Sequence, residues 1–249
     1  MRSCRVLPHE AGDGPANMAL DESLLESVAD DPSAAVVRTY SWSVPTLSLG
    51  YFQPIARAEA EPRWRGVPIV RRPTGGGALW HDREVTYALV IPKDHPLARR
   101  SADLYAAVHA AIAGLIGTIG LDARRRGESG PPIGGAEPPF LCFADRDPED
   151  IVAGTSKLVG SAQRRRAGAV LQHGSILLGR SPVTPELPGV ADLAGTAADP
   201  IAWAGRLAGA IPSALGLEAI DGRISAEERR RAGAMAGAIY RNPAWTRKR

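Results

Sequence analysis

The sequence predicts an α+β fold with a mixed, largely antiparallel central sheet flanked by helices. Three observations predict it. Strand-like runs come in adjacent groups, without the strict strand–helix alternation of a doubly wound parallel sheet. A long apolar stripe at helical spacing lies mid-chain. The composition is that of a folded chain, 44% hydrophobic and 23% charged over 249 residues, close to the globular average. A chain of that length buries about 75% of its unfolded surface and needs no staples.

Taken in order, residues 15–29 read as a helix. Pro15 suits a first helical turn, and Met18, Leu24, Leu25 and Val28 recur at helical spacing. Residues 35–41 and 46–51 read as strands around a turn at 43–45. The strand-like runs 68–72 and 85–92 flank a Gly-rich segment. Residues 101–119 form the clearest helix, with Leu104, Val108, Ala111, Leu115 and Ile119 on one stripe and Ser101 as its cap. His109 sits one residue past that stripe and reads as a boundary residue without chemistry. Residues 127–141 are rich in Gly and Pro and form a long loop, a length that often marks function. The loop ends at Cys142. Runs 156–163 and 168–178 suggest a hairpin turning at 164–167. Residues 182–200 read as irregular. Two helices follow, the second opened at Ser225 by a capping box with Glu228.

Composition also excludes several classes. Two cysteines, Cys4 and Cys142, make no disulfide framework, and no Cys/His cluster suggests a metal. Cys4 reads as structural. The N-terminal residues lack the apolar core of a signal peptide, and no apolar run approaches a membrane span. A cytoplasmic protein with reduced thiols is expected. The pI is about 9.1 with a formal net charge of +3. Basic runs at 124–126, 164–166 and 229–231 are either an electropositive face for an acidic protein or nucleic acid, or solvated arginine.

Four segments carry candidate chemistry. In the run from Arg72 to Asp82, Gly75, Gly76 and Gly77 allow close approach of a ligand and free amides to cradle an anion or carbonyl. Arg72 supplies a forked cation beside them. The run is neither GxxxxGK[ST] nor GxGxxG, and on glycine count alone a tight turn fits as well. Cys142, between Leu141 and Phe143, is either a buried hydrophobe or, at the end of its long loop, a nucleophile. Lys157 is one of three lysines, with Lys93 and Lys248, in a chain whose other cations are Arg. Inside an apolar strand it is either an edge lysine or an ammonium aimed at a site, where it would favour a thiolate. His173, in Gln172-His173-Gly174-Ser175, is a base for a thiol or a packed histidine.

Together these segments resemble the lipoate-protein ligase A, biotin-protein ligase and octanoyltransferase superfamily. RRPTGGGALWHD (71–82) is similar to its RR-x-[ST]-GG-x-A-x-x-HD signature, and the likeness extends to 17–22, 40–53, 156–165, 171–178 and 239–245, in family order. Cys142-Phe143, Asp150-Ile151, the block from Lys157 to Gln163 and HDREVTY (81–87) resemble the octanoyl-acyl-carrier-protein:protein N-octanoyltransferase branch. Thr155-Ser156 and Gly77 depart from that branch, and Gly77 is more ligase-like.

The resemblance implies a biotin/lipoate-protein-ligase type catalytic domain over 1–249, helical from about 200, with no separate accessory domain. It implies that Cys142 carries an octanoyl thioester and that Lys157 depresses the thiol pKa and touches the acyl carbonyl. Around them, Arg72, Thr74, Gly75, Gly76, Gly77, Ala78, His81, Tyr87, Gly160, Ser161, Ala162, Gln163 and His173 are expected to bind substrate. Amides of 75–78 or 160–162 are expected to serve each oxyanion, and His81 or His173 to assist deprotonation of the acceptor. An apolar slot of Leu79, Tyr87 and Leu49 is expected to hold the acyl chain. The expected partners are octanoyl-acyl carrier protein and lipoyl-domain proteins such as glycine cleavage H protein or 2-oxoacid dehydrogenase E2. No membrane or nucleic-acid partner, no cofactor and a monomer are expected. The alternatives are an ATP-dependent lipoate-protein ligase using ATP and Mg, an amidotransferase acting between lipoyl domains, whose Cys-Pro-Gly this chain lacks, and a non-catalytic binding protein.

Overall fold

The computed structural model describes residues 2–127, 139–145, 147–166 and 168–249. Twelve strands lie among them: β1 Ser3–Val6, β2 Glu10–Gly12, β3 Ala34–Trp42, β4 Thr46–Leu49, β5 Ile69–Arg71, β6 Leu79–His81, β7 Glu84–Pro92, β8 Ala123–Arg125, β9 Ile151–Ala153, β10 Ser156–Arg166, β11 Ala169–Leu177 and β12 Glu218–Asp221. The helices are α1 Gly14–Asp30, α2 Ala56–Glu59, α3 Ser101–Gly117, α4 Val190–Ala194, α5 Pro200–Ala214, α6 Ala226–Met235 and α7 Pro243–Thr246. The loop expected over 127–141 falls mostly, at 128–138, outside the described residues.

The main sheet has the order β12-β1-β3-β7-β11-β10-β9-β8, with β2 beside β3. From β3 through β8 the neighbours are antiparallel, while β1, β2 and β12 add parallel pairs. The mixed, largely antiparallel sheet is thus the one expected. The central strands β7 and β11 are buried at every residue, because helices cover both faces and remove the usual polar alternation.

The two faces divide by strand period. Val85, Tyr87, Leu89 and Ile91 pack with Leu104, Val108, Ile112 and Ile116 of α3 and Leu207 and Ile211 of α5. Ala88 and Val90 face the other way, onto Met18, Leu24, Leu25 and Val28 of α1. Fully burying such a side chain contributes roughly 1.5–3 kcal/mol. Cys4 lies in the first core with no exposure, where burial pushes its thiol up to about 12.

A second sheet, β5-β4-β6, holds the Gly-rich segment between β5 and β6. Its floor is a separate cluster in which Leu49 packs with Leu47, Trp64 and Trp80. Leu49 therefore belongs to this cluster and not to the acyl slot expected for it.

Local differences have local causes. Ser101 is the first residue of α3, and Arg100 takes the cap position without a side-chain bond. β10 runs on to Arg166, so Arg164–Arg166 extend the strand, and Gly168, just before β11, has φ +94°. The segment 182–200 contains α4, and a π-helical turn at Ala236–Tyr240 precedes α7. Much of the arginine is tied within the chain. Arg164 donates to Pro73 O at 2.6 Å, Arg166 pairs with Glu22 and Glu26 at 2.5 and 2.7 Å, and Arg231 pairs with Asp30 at 2.9 Å.

Candidate active site

The site forms where the small sheet meets β10 and β11. Arg72 leaves β5 fully buried and folds back on the loop. Its Nη1 donates to Ser48 O (2.9 Å) and Ser48 Oγ (2.7 Å), and its Nη2 to Gly75 O (3.0 Å) and Gly77 O (2.8 Å). Burial, first of all, pushes its guanidinium down to about 10, which leaves it charged at neutral pH. The expected anion-binding cation is thus spent on the loop's own carbonyls. Arg71, fully buried beside it, does the same for the carbonyls of Gly50, Tyr51, Gln53 and Thr246.

The glycines are required by two close approaches. A Cβ on Gly50 would lie 1.9 Å from Gly76 O, and Gly76 has φ +89°. A Cβ on Gly77 would lie 2.9 Å from both N and Cα of Cys142. The cysteine backbone thus packs directly against Gly77, one of the positions at which the chain departs from the octanoyltransferase pattern. The cysteine segment is stitched on by a parallel bridge, with Ala78 N donating to Phe140 O and Cys142 N to Ala78 O, both at 2.8 Å. Ala78 therefore spends its amide on this bridge. Gln53 adds a bond from Nε2 to Phe140 O at 3.0 Å.

Cys142 opens a single 3-10 turn, Cys142–Ala144. Lys157 reaches it from β10, where a register shift between Lys157 and Val159 marks a bulge of the kind that re-aims side chains. The Lys157 ammonium lies 3.4 Å from Cys142 Sγ, 2.9 Å from Cys142 O and 2.8 Å from Asp150 Oδ2. Burial alone would push this ammonium down. The Cys142 sulfur and the Asp150 carboxylate outweigh burial and hold it above the ordinary lysine value. Gly160 keeps the approach open, since a Cβ there would lie 2.9 Å from Lys157 Cε and 3.7 Å from the sulfur.

In front of the sulfur lies a narrow, half-open cleft. Gly75, Gly76, Leu79, Gly160, Ser161 and Ala162 line it with Cys142, and Met18, Tyr40 and Trp42 add apolar wall. The register of β9 on β10 ends at Val159, so from Gly160 to Ala162 β10 is paired on the β11 side alone.

The remaining expected residues support the cleft. His81 and His173 line it, but both rings are fully engaged. His81 bonds Ser48 Oγ (2.6 Å) and Glu84 Oε1 (2.7 Å) and stacks on Trp42 at 3.7 Å between centroids. Burial pushes His81 down, against the pull of Glu84. His173 bonds Asp21 Oδ2 (2.9 Å) and Thr74 Oγ1 (2.7 Å), which makes Thr74 an anchor of the loop. Neither ring has a free nitrogen for an incoming amine in this arrangement. Tyr87 is fully buried behind the wall, with its hydroxyl on Ser161 Oγ (2.7 Å) and Gln172 Nε2 (3.0 Å). Gln163 bonds Gln172 Oε1 at 2.9 Å.

Sequence reasoning missed four polar residues. Asp21 and Glu84 orient the two histidines, and Asp150 orients Lys157. Each acid sits directly beside an apolar run, which is the signal that could have found it. His109 was read as inert, but it is 1% exposed and bonds Glu149 O and, at 2.6 Å, Ser161 Oγ. Its position one step off the stripe hid this, because the partner comes from β10 across the sheet.

The fold and this geometry define a class: an α+β catalytic domain in which a cysteine–lysine pair and a glycine loop share one cleft. The chain belongs to the lipoyl protein ligase A/B catalytic domain family, whose profile matches residues 13–182. It is 37% identical to the octanoyltransferase LipM of Kyrpidia tusciae over 190 residues, 73% of this chain and 68% of that one. It is 40% identical to the octanoyltransferase LipM of Moorella thermoacetica over 186 residues, 70% of this chain and 64% of that one. The chain thus spans about two thirds of the length of these relatives. In structure it is similar to a lipoate-protein ligase A bound with ATP, with a TM-score of 0.77 and 24% identity over 98% of both chains. A putative lipoate protein ligase from T. acidophilum with bound lipoic acid gives 0.78 and 23% over 99% of this chain and 100% of that one. At these identities the likeness is one of fold.

Proposed function

We propose that the protein is an octanoyltransferase of lipoate biosynthesis. It takes octanoyl from octanoyl-acyl carrier protein onto Cys142 as a thioester and passes it to a lysine of a lipoyl domain. The observation that carries this is the 3.4 Å contact between Lys157 Nζ and Cys142 Sγ at the lip of an apolar cleft. The 32–40% identity to octanoyltransferases named LipM supports the acyl group and the acceptor class.

In the first step the Cys142 thiolate attacks the donor thioester and the carrier thiol leaves. Exchange between thioesters is nearly balanced, so no ATP or other cofactor is called for. In the second step the acceptor amine attacks the acyl-enzyme, an amide forms, and Cys142 thiolate departs. The step is downhill because an amide is more stable than a thioester. Each tetrahedral oxyanion needs fixed donors, for which the Lys157 ammonium and the amides of 160–162 are suited; losing one typically costs about 3–4 kcal/mol. The acceptor proton passes to solvent or the departing thiolate. A cytosolic setting suits a free, partly exposed Cys142.

Incubation with octanoyl-acyl carrier protein should add one octanoyl group, removed by neutral hydroxylamine and absent in Cys142→Ala. An enzyme that transfers without this adduct, or that shows lipoate-dependent ATP–pyrophosphate exchange unaffected by Cys142→Ala, would instead be a lipoate-protein ligase.

A further inference from the structure

The Cys142–Lys157 pair carries a hazard. Once Cys142 holds an acyl group, an amine 3.4 Å from its sulfur is one bond length from reach of the acyl carbon. Attack by a neutral Lys157 would form a C–N bond and break the C–S bond. The sulfur would leave as thiolate, and the proton on nitrogen would pass to it or to solvent. The product is an internal amide, more stable than the thioester, and the enzyme would be dead. An ammonium has no lone pair and cannot do this.

What keeps Lys157 charged differs between the two states. In the resting site its acidic neighbours are the Cys142 thiol and Asp150. Acylation removes the ionisable thiol and leaves Asp150 as the carboxylate in contact with the ammonium. Water does not replace it, since the Lys157 side chain is 2% exposed. Among the described residues, the other groups in contact with Lys157 are uncharged. Cys142 O is a neutral acceptor at 2.9 Å, and the Phe143 ring lies 5.5 Å away. His109, behind β10, is held neutral by burial.

Asp150 is built to stay. Its Oδ2 accepts Asp147 N at 2.7 Å as well as Lys157 Nζ at 2.8 Å, its own N donates to Asp147 O at 3.1 Å, and its carbonyl accepts Arg126 N at 2.8 Å. A carboxylate fixed in a turn, 4% exposed, is costly unless paired.

We propose that Asp150 is a positioning residue that keeps Lys157 an ammonium through the acylated state, and so blocks transfer of the acyl group from Cys142 sulfur to Lys157 nitrogen. This rests on the Cys142 thioester reading.

The test uses the whole chain and the N-acetylcysteamine thioester of octanoic acid, with peptide mapping by mass before and after neutral hydroxylamine. Wild type is expected to carry a labile octanoyl group on Cys142. Asp150→Asn is expected to accumulate a resistant octanoyl amide on Lys157, with activity decaying as it forms. The neutral amine fraction rises about tenfold for each unit the ammonium pKa falls. Asp150→Asn with Lys157→Arg should give no resistant adduct, and Asp150→Glu should return the wild-type pattern. Asp150→Ser, which leaves room for a water, gives the same readout if the Asn variant folds poorly. Labile acylation confined to Cys142 in folded Asp150→Asn and Asp150→Ser through many turnovers would overturn the inference while the thioester reading stands. Failure of wild type to acylate Cys142 would instead overturn that reading.

Discussion

Lys157 Nζ contacts two atoms of one residue, donating to Cys142 O at 2.9 Å and facing Cys142 Sγ at 3.4 Å. The carbonyl contact fixes the ammonium in register with the sulfur, so the charge sits where the nucleophile forms. Lys157→Met keeps the bulk and removes the charge. Alkylation of Cys142 by iodoacetamide near pH 7 should slow by about tenfold or more, the usual effect of an adjacent cation. An alkylation pH profile matching wild type would sink this role.

The same substitution leaves Asp150 buried without its partner. Breaking a buried pair costs about 3–5 kcal/mol. Lys157→Met should therefore be markedly less stable in urea than wild type, and adding Asp150→Asn should recover much of the loss. Additive losses in the double variant would mean that the pair is not coupled.

Gly77→Ala puts a methyl 2.9 Å from Cys142 N and Cα. The cysteine turn must shift, and a displacement on the order of 1 Å at a reacting centre can cost about 100-fold in rate. Cys142 acylation should fall by that order while the circular dichroism spectrum stays unchanged. A variant that acylates at the wild-type rate would show that the contact is not limiting.

Arg72→Lys replaces a fork holding four contacts by an ammonium with three donors. The loop carbonyls of Gly75 and Gly77 should lose their tie. We expect a stability loss of about 1–3 kcal/mol, the cost of a buried group left unsatisfied, and slower acylation. Denaturant unfolding and single-turnover acylation check both.

His109 sets an acid limit. Burial, first of all, pushes its imidazole down to about 4. In the unfolded chain its pKa is about 6.5, so the unfolded state binds more protons between these values. The stability His109 contributes is complete above about pH 6.5 and is lost as pH falls toward 4, up to about 3 kcal/mol. Its Nδ1–H donates to Glu149 O, so the neutral ring accepts from Ser161 O–H at Nε2, a bond whose direction protonation reverses. His109→Gln should narrow the drop in urea midpoint between pH 7 and pH 5. His81 is pushed the same way, so part of the drop remains. An unchanged drop would remove His109 from the account.

The sequence by itself determined the α+β class, because strand-like runs and the α3 stripe are local patterns that period alone specifies. It also marked Cys142, Lys157 and the 75–77 glycines, since a thiol after a long loop, a lysine among arginines and three consecutive glycines are unusual whatever surrounds them. The tertiary structure alone decided which polar groups pair. Asp150 meets Lys157 across β9 and β10, Asp21 meets His173 from α1, and His109 meets Ser161 from α3. It also moved Leu49 and Tyr87 out of the cleft and turned Arg72 inward onto the loop. Hydrophobic periodicity tells which face of an element is buried. The partner of a buried charge is set by the register between elements distant in sequence, and no local pattern encodes that.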